Sequence, residues 1–242
     1  MNTSFEPDQV RALTFDVFGT VVDWRGSIIR EAQAFGARNG VTADWVAFTD
    51  QWRGMYQPSM HAVRSGKRPW TKLDDLHRES LETLCERFGF AGKVSERDLD
   101  DLTRAWHRLA PWPDVVPGLE RLRRRYVLVT LSNGNVSLLV NLSRFAGLRW
   151  DAVLGAEPTR HYKPVSEAYL GTARFLDLQP PQCLMVAAHN DDLISAASLG
   201  FRTAFVARPT EYGPHQQTDL RPAADFDIVT DSFQRLAEQL GV

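Results

Sequence analysis

Short runs of apolar residues punctuate the chain at 12–18 (ALTFDVF), 126–132 (YVLVTLS), 151–157 (DAVLGAE), 183–188 (CLMVAA) and 203–207 (TAFVA). Runs of this length without polar alternation predict strands buried on both faces, as in a parallel sheet. Between the later runs, apolar residues recur at helical spacing in 118–125, 136–147, 166–176 and 193–200. Strand and helix in alternation predict an α/β fold, a doubly wound parallel sheet with right-handed crossovers. Residues 127–230 supply four of its strands and 12–18 a fifth. The stretch 24–112 breaks the pattern: it contains no convincing strand and reads as amphipathic helices at 28–38, 44–56, 74–89 and 96–109. The last two open with acidic residues, which suit a helix N-terminus. Pro111, Pro113 and Pro117 with Gly118 mark the return to strand-and-helix alternation. The expected organisation is an α/β core of residues 1–21 and 113–242, interrupted by a helical cap at 22–112.

Composition narrows the class of partner. With 28 Lys and Arg against 30 Asp and Glu, the net charge is −2, so no broad basic field exists to attract nucleic acid or an anionic membrane. The expected partner is a small molecule. The basic run RLRRR at 121–125 carries no interleaved aromatics and reads as the solvated face of a core helix. Two cysteines, Cys85 and Cys183, are too few and too far apart for a disulfide framework or a thiolate metal site. The opening MNTSFEPDQV has neither a basic nor an apolar leader region, and no apolar run approaches the roughly 18 residues of a membrane span. A reducing, cytoplasmic location is expected.

Candidate chemistry gathers at the predicted strand ends. The first run closes on Asp16-Val17-Phe18-Gly19-Thr20, placing a carboxylate at the sheet edge where open α/β folds bind ligands, with backbone N–H groups of the turn facing the same spot. A carboxylate there can act as a nucleophile; the bland alternative is a cap for the next segment. Ser132-Asn133-Gly134 follows the second run, Lys163-Pro164 the third, and His189-Asn190-Asp191-Asp192 the fourth.

That ordered set (Asp, then Ser, then Lys, then acidic residues) resembles the haloacid dehalogenase superfamily over nearly the whole chain. Phosphatases of that superfamily carry a second Asp two residues after the nucleophile, where this chain has Phe18, and an early acidic magnesium ligand in the fourth motif, where it has Ala188. The general acid and the metal cage for phosphoryl transfer are thus both absent from the motif. These departures, the LSNG tract at 131–134 and the helical insertion resemble the type II L-2-haloacid dehalogenases, which have no metal or other cofactor.

The resemblance implies that Asp16 displaces halide from the alpha carbon of a small 2-haloacid with inversion, and that water then attacks the resulting ester. It implies halide capture by Arg53 and Asn133, an aromatic pocket wall from Trp70, and substrate carboxylate binding by Ser132 with the N–H groups of Val17 and Phe18. Lys163 would neutralise and orient Asp16, and Asp192 would position and deprotonate the water. For Arg53 the alternative is a surface helix arginine, for Trp70 ordinary packing, and for Asp192 an N-cap of a helix beginning near Leu193. Where related dehalogenases carry Ser-Ser-Asn-Ala-Trp-Asp, this chain reads Ala187-Ala188-His189-Asn190-Asp191-Asp192. His189 is therefore expected to replace the asparagine as partner of Asp192 or of the water; the alternative is a strand-end histidine with its bonds satisfied. The family also allows a homodimer. A phosphatase, or a silent member serving in binding or regulation, is the competing reading.

Overall fold

The structure, a computed structural model, describes residues 5–242; residues 1–4, the start of the segment read for a leader and of the core range, lie outside it. Six parallel strands form one sheet: β1 (Ala12–Phe15), β4 (Val127–Ser132), β5 (Ala152–Gly155), β6 (Cys183–Ala187), β7 (Arg202–Val206) and β8 (Ile228–Thr230), in the order β5-β4-β1-β6-β7-β8. β1, β6 and nearly all of β4 are buried, as expected of strands with helices on both faces. Winding runs outward from β1 through β4 to β5, then jumps back to β6 on the other side of β1. The reversal places the C-terminal end of β1 at the switch point, where neighbouring connections diverge and leave a crevice.

Five strands match the apolar runs; β8 is an addition, a short edge strand with its central residue exposed, whose IVT sequence is too brief for a periodicity signal. Core helices α5 (Val115–Leu122), α6 (Val136–Ala146), α7 (Ala156–Thr159), α8 (Ser166–Phe175), α9 (Asn190–Ser198) and α10 (Phe233–Gln239) flank the sheet. The RLRRR run lies at the end of α5, where Arg121 and Arg125 reach the C-terminal segment through the carbonyls of Val242 and Leu240.

The intervening helices are α1 (Trp24–Asn39), α2 (Trp45–Arg64), α3 (Leu73–Arg87) and α4 (Glu96–Thr103), followed by a 3₁₀ turn at Arg104–His107. Asp23, Asp44 and Ser95 cap three of them, each side chain accepting first-turn N–H groups. The expectation of no strand in 24–112 needs one correction: β2 (Val22–Asp23) pairs antiparallel with β3 (Ala110–Pro111). Pro111 is tolerated because a two-residue ribbon leaves its ring on an edge. The ribbon brackets the helical segment where the chain leaves β1 and returns to α5. No described helix is long and apolar enough to cross a membrane.

Candidate active site

Asp16 lies one residue beyond β1 and is 6 % exposed. Its N–H donates to Val186 O, extending the ladder to β6, while Val17 O accepts the N–H groups of Val21 and Val22 and folds the chain back at once. Gly19 permits the turn with φ +91°, a conformation that L side chains rarely adopt. The N–H groups of Val17 and Phe18 have no hydrogen-bond partner among the described residues.

Both Asp16 oxygens are occupied. Lys163 Nζ donates to Oδ1 at 2.9 Å, Thr20 Oγ1 donates to Oδ2 at 2.7 Å, and His189 Nδ1 lies 3.2 Å from Oδ2. Burial opposes ionisation of Asp16, but the Lys163 charge and the bonds from His189 and Thr20 outweigh it and hold the carboxyl well below its usual range. Thr20 is itself fixed by Ala188 N–H at 2.8 Å. The residue aligned with a magnesium ligand thus contributes only its backbone.

Lys163 also donates to Asp192 Oδ2, and Tyr169 donates to Asp192 Oδ1 at 2.6 Å. Burial pushes the Asp192 carboxyl up, with Lys163 opposing and Asp16 reinforcing. Burial works against the Lys163 charge too, yet the carboxylates of Asp16 and Asp192 raise it above an ordinary lysine. For Asp192 the alternative reading, a helix cap, does not hold. Helix α9 begins at Asn190 with His189 in the capping position, so Asp192 sits in the first turn and caps nothing. Protein donors occupy both its oxygens, which makes it the anchor of Lys163.

His189 bridges differently from expectation. Its partners are Asp16 and, through Nε2, Glu211 at 2.9 and 3.1 Å, with no bond to Asp192. Glu211 is 1 % exposed and also accepts from Trp24 Nε1 at 2.9 Å. Burial disfavours a charged imidazole, but the Glu211 charge and the bond to Asp16 raise His189 well above its ordinary 6.5. Glu211 lies in the turn-rich loop after β7, whose sequence left its location open; no periodic or motif signal singles it out.

A cavity of about 910 Å³ opens over these groups. Arg53, on α2, lines it with its guanidinium 4.1 Å from the Tyr56 ring centroid and 5.1 Å from that of Trp24, and its Nη1 is buried without a hydrogen-bond partner. Arg53 is therefore no surface arginine. Phe18 lines the cavity edge-on to Tyr56 and Trp106. Asn133 accepts Lys163 N–H through Oδ1 at 2.8 Å, leaving its Nδ2 without a protein partner among the described residues.

Three expected residues do not line the cavity: Val17 is buried and has only its N–H to offer, and the side chains of the other two are engaged elsewhere. Ser132 is fully buried, its hydroxyl accepting Gly134 N–H at 3.1 Å, and it does not line the cavity. Strand β4 carries it one residue too early, so the hydroxyl braces the turn. Trp70 also stays off the cavity wall and stacks on Tyr162, centroids 4.8 Å apart, with Arg160 on the ring. Tyr56, Tyr212 and Phe18 supply the aromatic wall in its place.

A family model described as haloacid dehalogenase-like hydrolase matches residues 10–200. The chain belongs to the haloacid dehalogenase-like hydrolases. Within this hydrolase family, a crystal structure of a defluorinating L-2-haloacid dehalogenase is 45 % identical with TM-score 0.96, covering 99 % of this chain and 100 % of that one. Another L-2-haloacid dehalogenase crystal structure is 48 % identical with TM-score 0.93, covering 96 % and 98 %. The (S)-2-haloacid dehalogenase of Pseudomonas sp. strain YL is 28 % identical over 204 residues, 83 % of this chain and 84 % of that protein.

Proposed function

We propose that this hydrolase cleaves the carbon–halide bond of small (S)-2-haloacids through an ester on Asp16. The observation that carries this reading is the pairing of an ionised, Lys163-held carboxylate with a buried guanidinium nitrogen of Arg53 that has no protein partner, both on one cavity. An anion generated opposite Asp16 meets a preorganised donor in a desolvated site, which is where such donors are strongest. Halide departs without a proton, so Phe18 in place of a second Asp costs this reaction nothing.

In the first step Asp16 attacks the alpha carbon from the side opposite the halogen, which leaves toward Arg53 and Asn133 Nδ2. The N–H groups of Val17 and Phe18 orient the substrate carboxylate. Esterification removes the Asp16 charge, one of the two anions that hold His189 protonated. The imidazolium then releases to solvent the one proton that the overall hydrolysis sets free, and neutral His189, steadied by Glu211, takes a proton from the water that attacks the Asp16 carbonyl carbon. Collapse of the adduct frees the 2-hydroxy acid with inverted configuration and restores the Asp16–His189 pair. Halide release from fluoro-, chloro- and bromo-acids, with chelator present and Asp16→Asn beside the native chain, tests the reading. Release by the native chain that disappears in Asp16→Asn supports it; a fully active Asn variant sinks it. A single turnover in heavy-oxygen water should give a first product lacking the label, because its new oxygen comes from Asp16.

A cytoplasmic setting and a homodimer belong to the same reading. Cys85 and Cys183 are buried free thiols that burial pushes up to about 11 and about 12, and sedimentation of the native chain reads the assembly.

A further inference from the structure

At the inner end of the cavity, around Asp16, charges are matched before substrate arrives, while Asp191, Asp219 and Arg64 also line the cavity. Three carboxylates, Asp16, Asp192 and Glu211, are matched by Lys163 and His189, each bonded to two of them, and by Arg53 beside Glu211. The inner site is therefore close to neutral before substrate arrives. A 2-haloacid brings a carboxylate as well as the halogen that becomes an anion. The loop N–H groups of Val17 and Phe18 are uncharged donors, and Ser132 is turned away from the cavity. Neutral donors alone leave the charge of a desolvated carboxylate uncompensated.

Arg64 stands where that compensation is missing. It follows Arg53 by eleven residues on α2, three helical turns, so both face the cavity. Its Nη1 donates to Lys163 O at 3.0 Å and its Nη2 to Gln57 Oε1 at 3.3 Å. A guanidinium has five N–H donors, so three are left over. No carboxylate pairs with Arg64 among the described residues, whereas the cavity-rim Asp219 is already engaged by Asn190 and Thr218. The bond to Lys163 O also ties the guanidinium to the backbone of the residue whose side chain holds Asp16, with both residues on the same cavity.

Building on the dehalogenase reading, we propose that Arg64 is the cation that recognises the carboxylate of the substrate, bridging it to the core through Lys163 O. Arg53 and Arg64 then divide the two anionic ends of one small molecule, halide to one and carboxylate to the other. The division makes the cap helix a reader of acids over their neutral analogues.

The test compares (S)-2-chloropropionate with the matching 2-chloropropionamide in the native chain, Arg64→Gln and Arg64→Lys. The acid-to-amide ratio of kcat/KM should fall at least tenfold in Arg64→Gln and recover in part in Arg64→Lys, with the loss for the acid expressed chiefly in KM. A second readout is equilibrium binding of unreactive propionate to Asp16→Asn, which should weaken at least tenfold when Arg64→Gln is added. A role confined to tethering cap and core lowers acid and amide alike and leaves the ratio in place; that result, or unaltered propionate binding, overturns the proposal. Absence of halide release from the acid by the native chain fails the dehalogenase reading itself, and is told apart from failure of the Arg64 role because the latter keeps turnover and loses only the selectivity.

Discussion

Asp16, Lys163, Asp192, His189 and Glu211 form one chain of alternating charge, and each link has a distinct consequence. Removing Lys163 leaves two carboxylates buried side by side. Lys163→Ala is expected to cost about 3–5 kcal/mol of stability and to abolish halide release, read by urea unfolding and halide assay. Replacing His189 interrupts only the second half of the reaction. In His189→Gln, ester should accumulate on Asp16 and its hydrolysis should slow by about 10²–10⁴, seen as a mass increase on the peptide bearing Asp16; unaltered ester hydrolysis refutes the base role. The pH dependence has opposite signs at the two partners. His189 is raised above 6.5, so its contribution to stability is whole below about pH 6.5 and disappears as pH climbs through the raised value. Asp16 is depressed below 3.8, so its contribution is present above that and disappears as pH falls through the lower value. Melting curves should therefore show the native chain losing stability relative to His189→Gln on the alkaline side.

At the scale of elements, the turn after β1 decides whether the loop after β7 can reach the site. A Cβ on Gly19 would sit 2.1 Å from Glu211 Oε1, and φ there is +91°. Gly19→Ala is expected to destabilise by about 1–3 kcal/mol and to push Glu211 off His189, lowering activity more than stability explains; a steady-state assay beside a melting curve separates the two. Helix α2 shows how periodicity becomes chemistry. Its apolar stripe, including Phe48, Trp52 and Met60, packs inward, and the same geometry carries Arg53, Gln57 and Arg64 to the cavity. Behind it, His77 is stacked on Trp106 at 4.3 Å with neither ring nitrogen bonded, and burial holds it down to about 3. It packs as a neutral aromatic.

Across the whole molecule, the site exists only where helical segment and sheet meet. Asn135, the residue preceding α6, accepts Asp74 N–H at 3.1 Å and donates to Asp74 Oδ2 at 2.9 Å on α3. His107 completes the contact, 3.0 Å from Asp74 Oδ1 and 3.1 Å from Asn141. Asn135→Ala leaves buried groups of Asp74 unpaired and is expected to cost about 1–3 kcal/mol, measured by urea unfolding, with a rise in KM as the helices lose their seat over Asp16. Division into a core at 1–21 and 113–242 and a cap at 22–112 is the arrangement we propose, with the β2–β3 ribbon at the boundary between them.

Local pattern determined much of this protein. Uninterrupted apolar runs fix five of the six strands because burial on both faces leaves no polar alternation, and helical spacing fixes the segments between them. The ordered Asp16, Ser132, Lys163 and Asp192 were legible because each lies at or beyond the C-terminal end of a strand, and parallel strands deliver those ends to one edge. Tertiary structure alone decided which of those side chains meet. It brought Glu211 to His189 across 22 residues and Arg64 to Lys163 across 99, turned Ser132 inward and set Trp70 against Tyr162. Those outcomes depend on loop paths and on the seating of helices, where a single residue of offset redirects a side chain, and no local preference in the sequence encodes that.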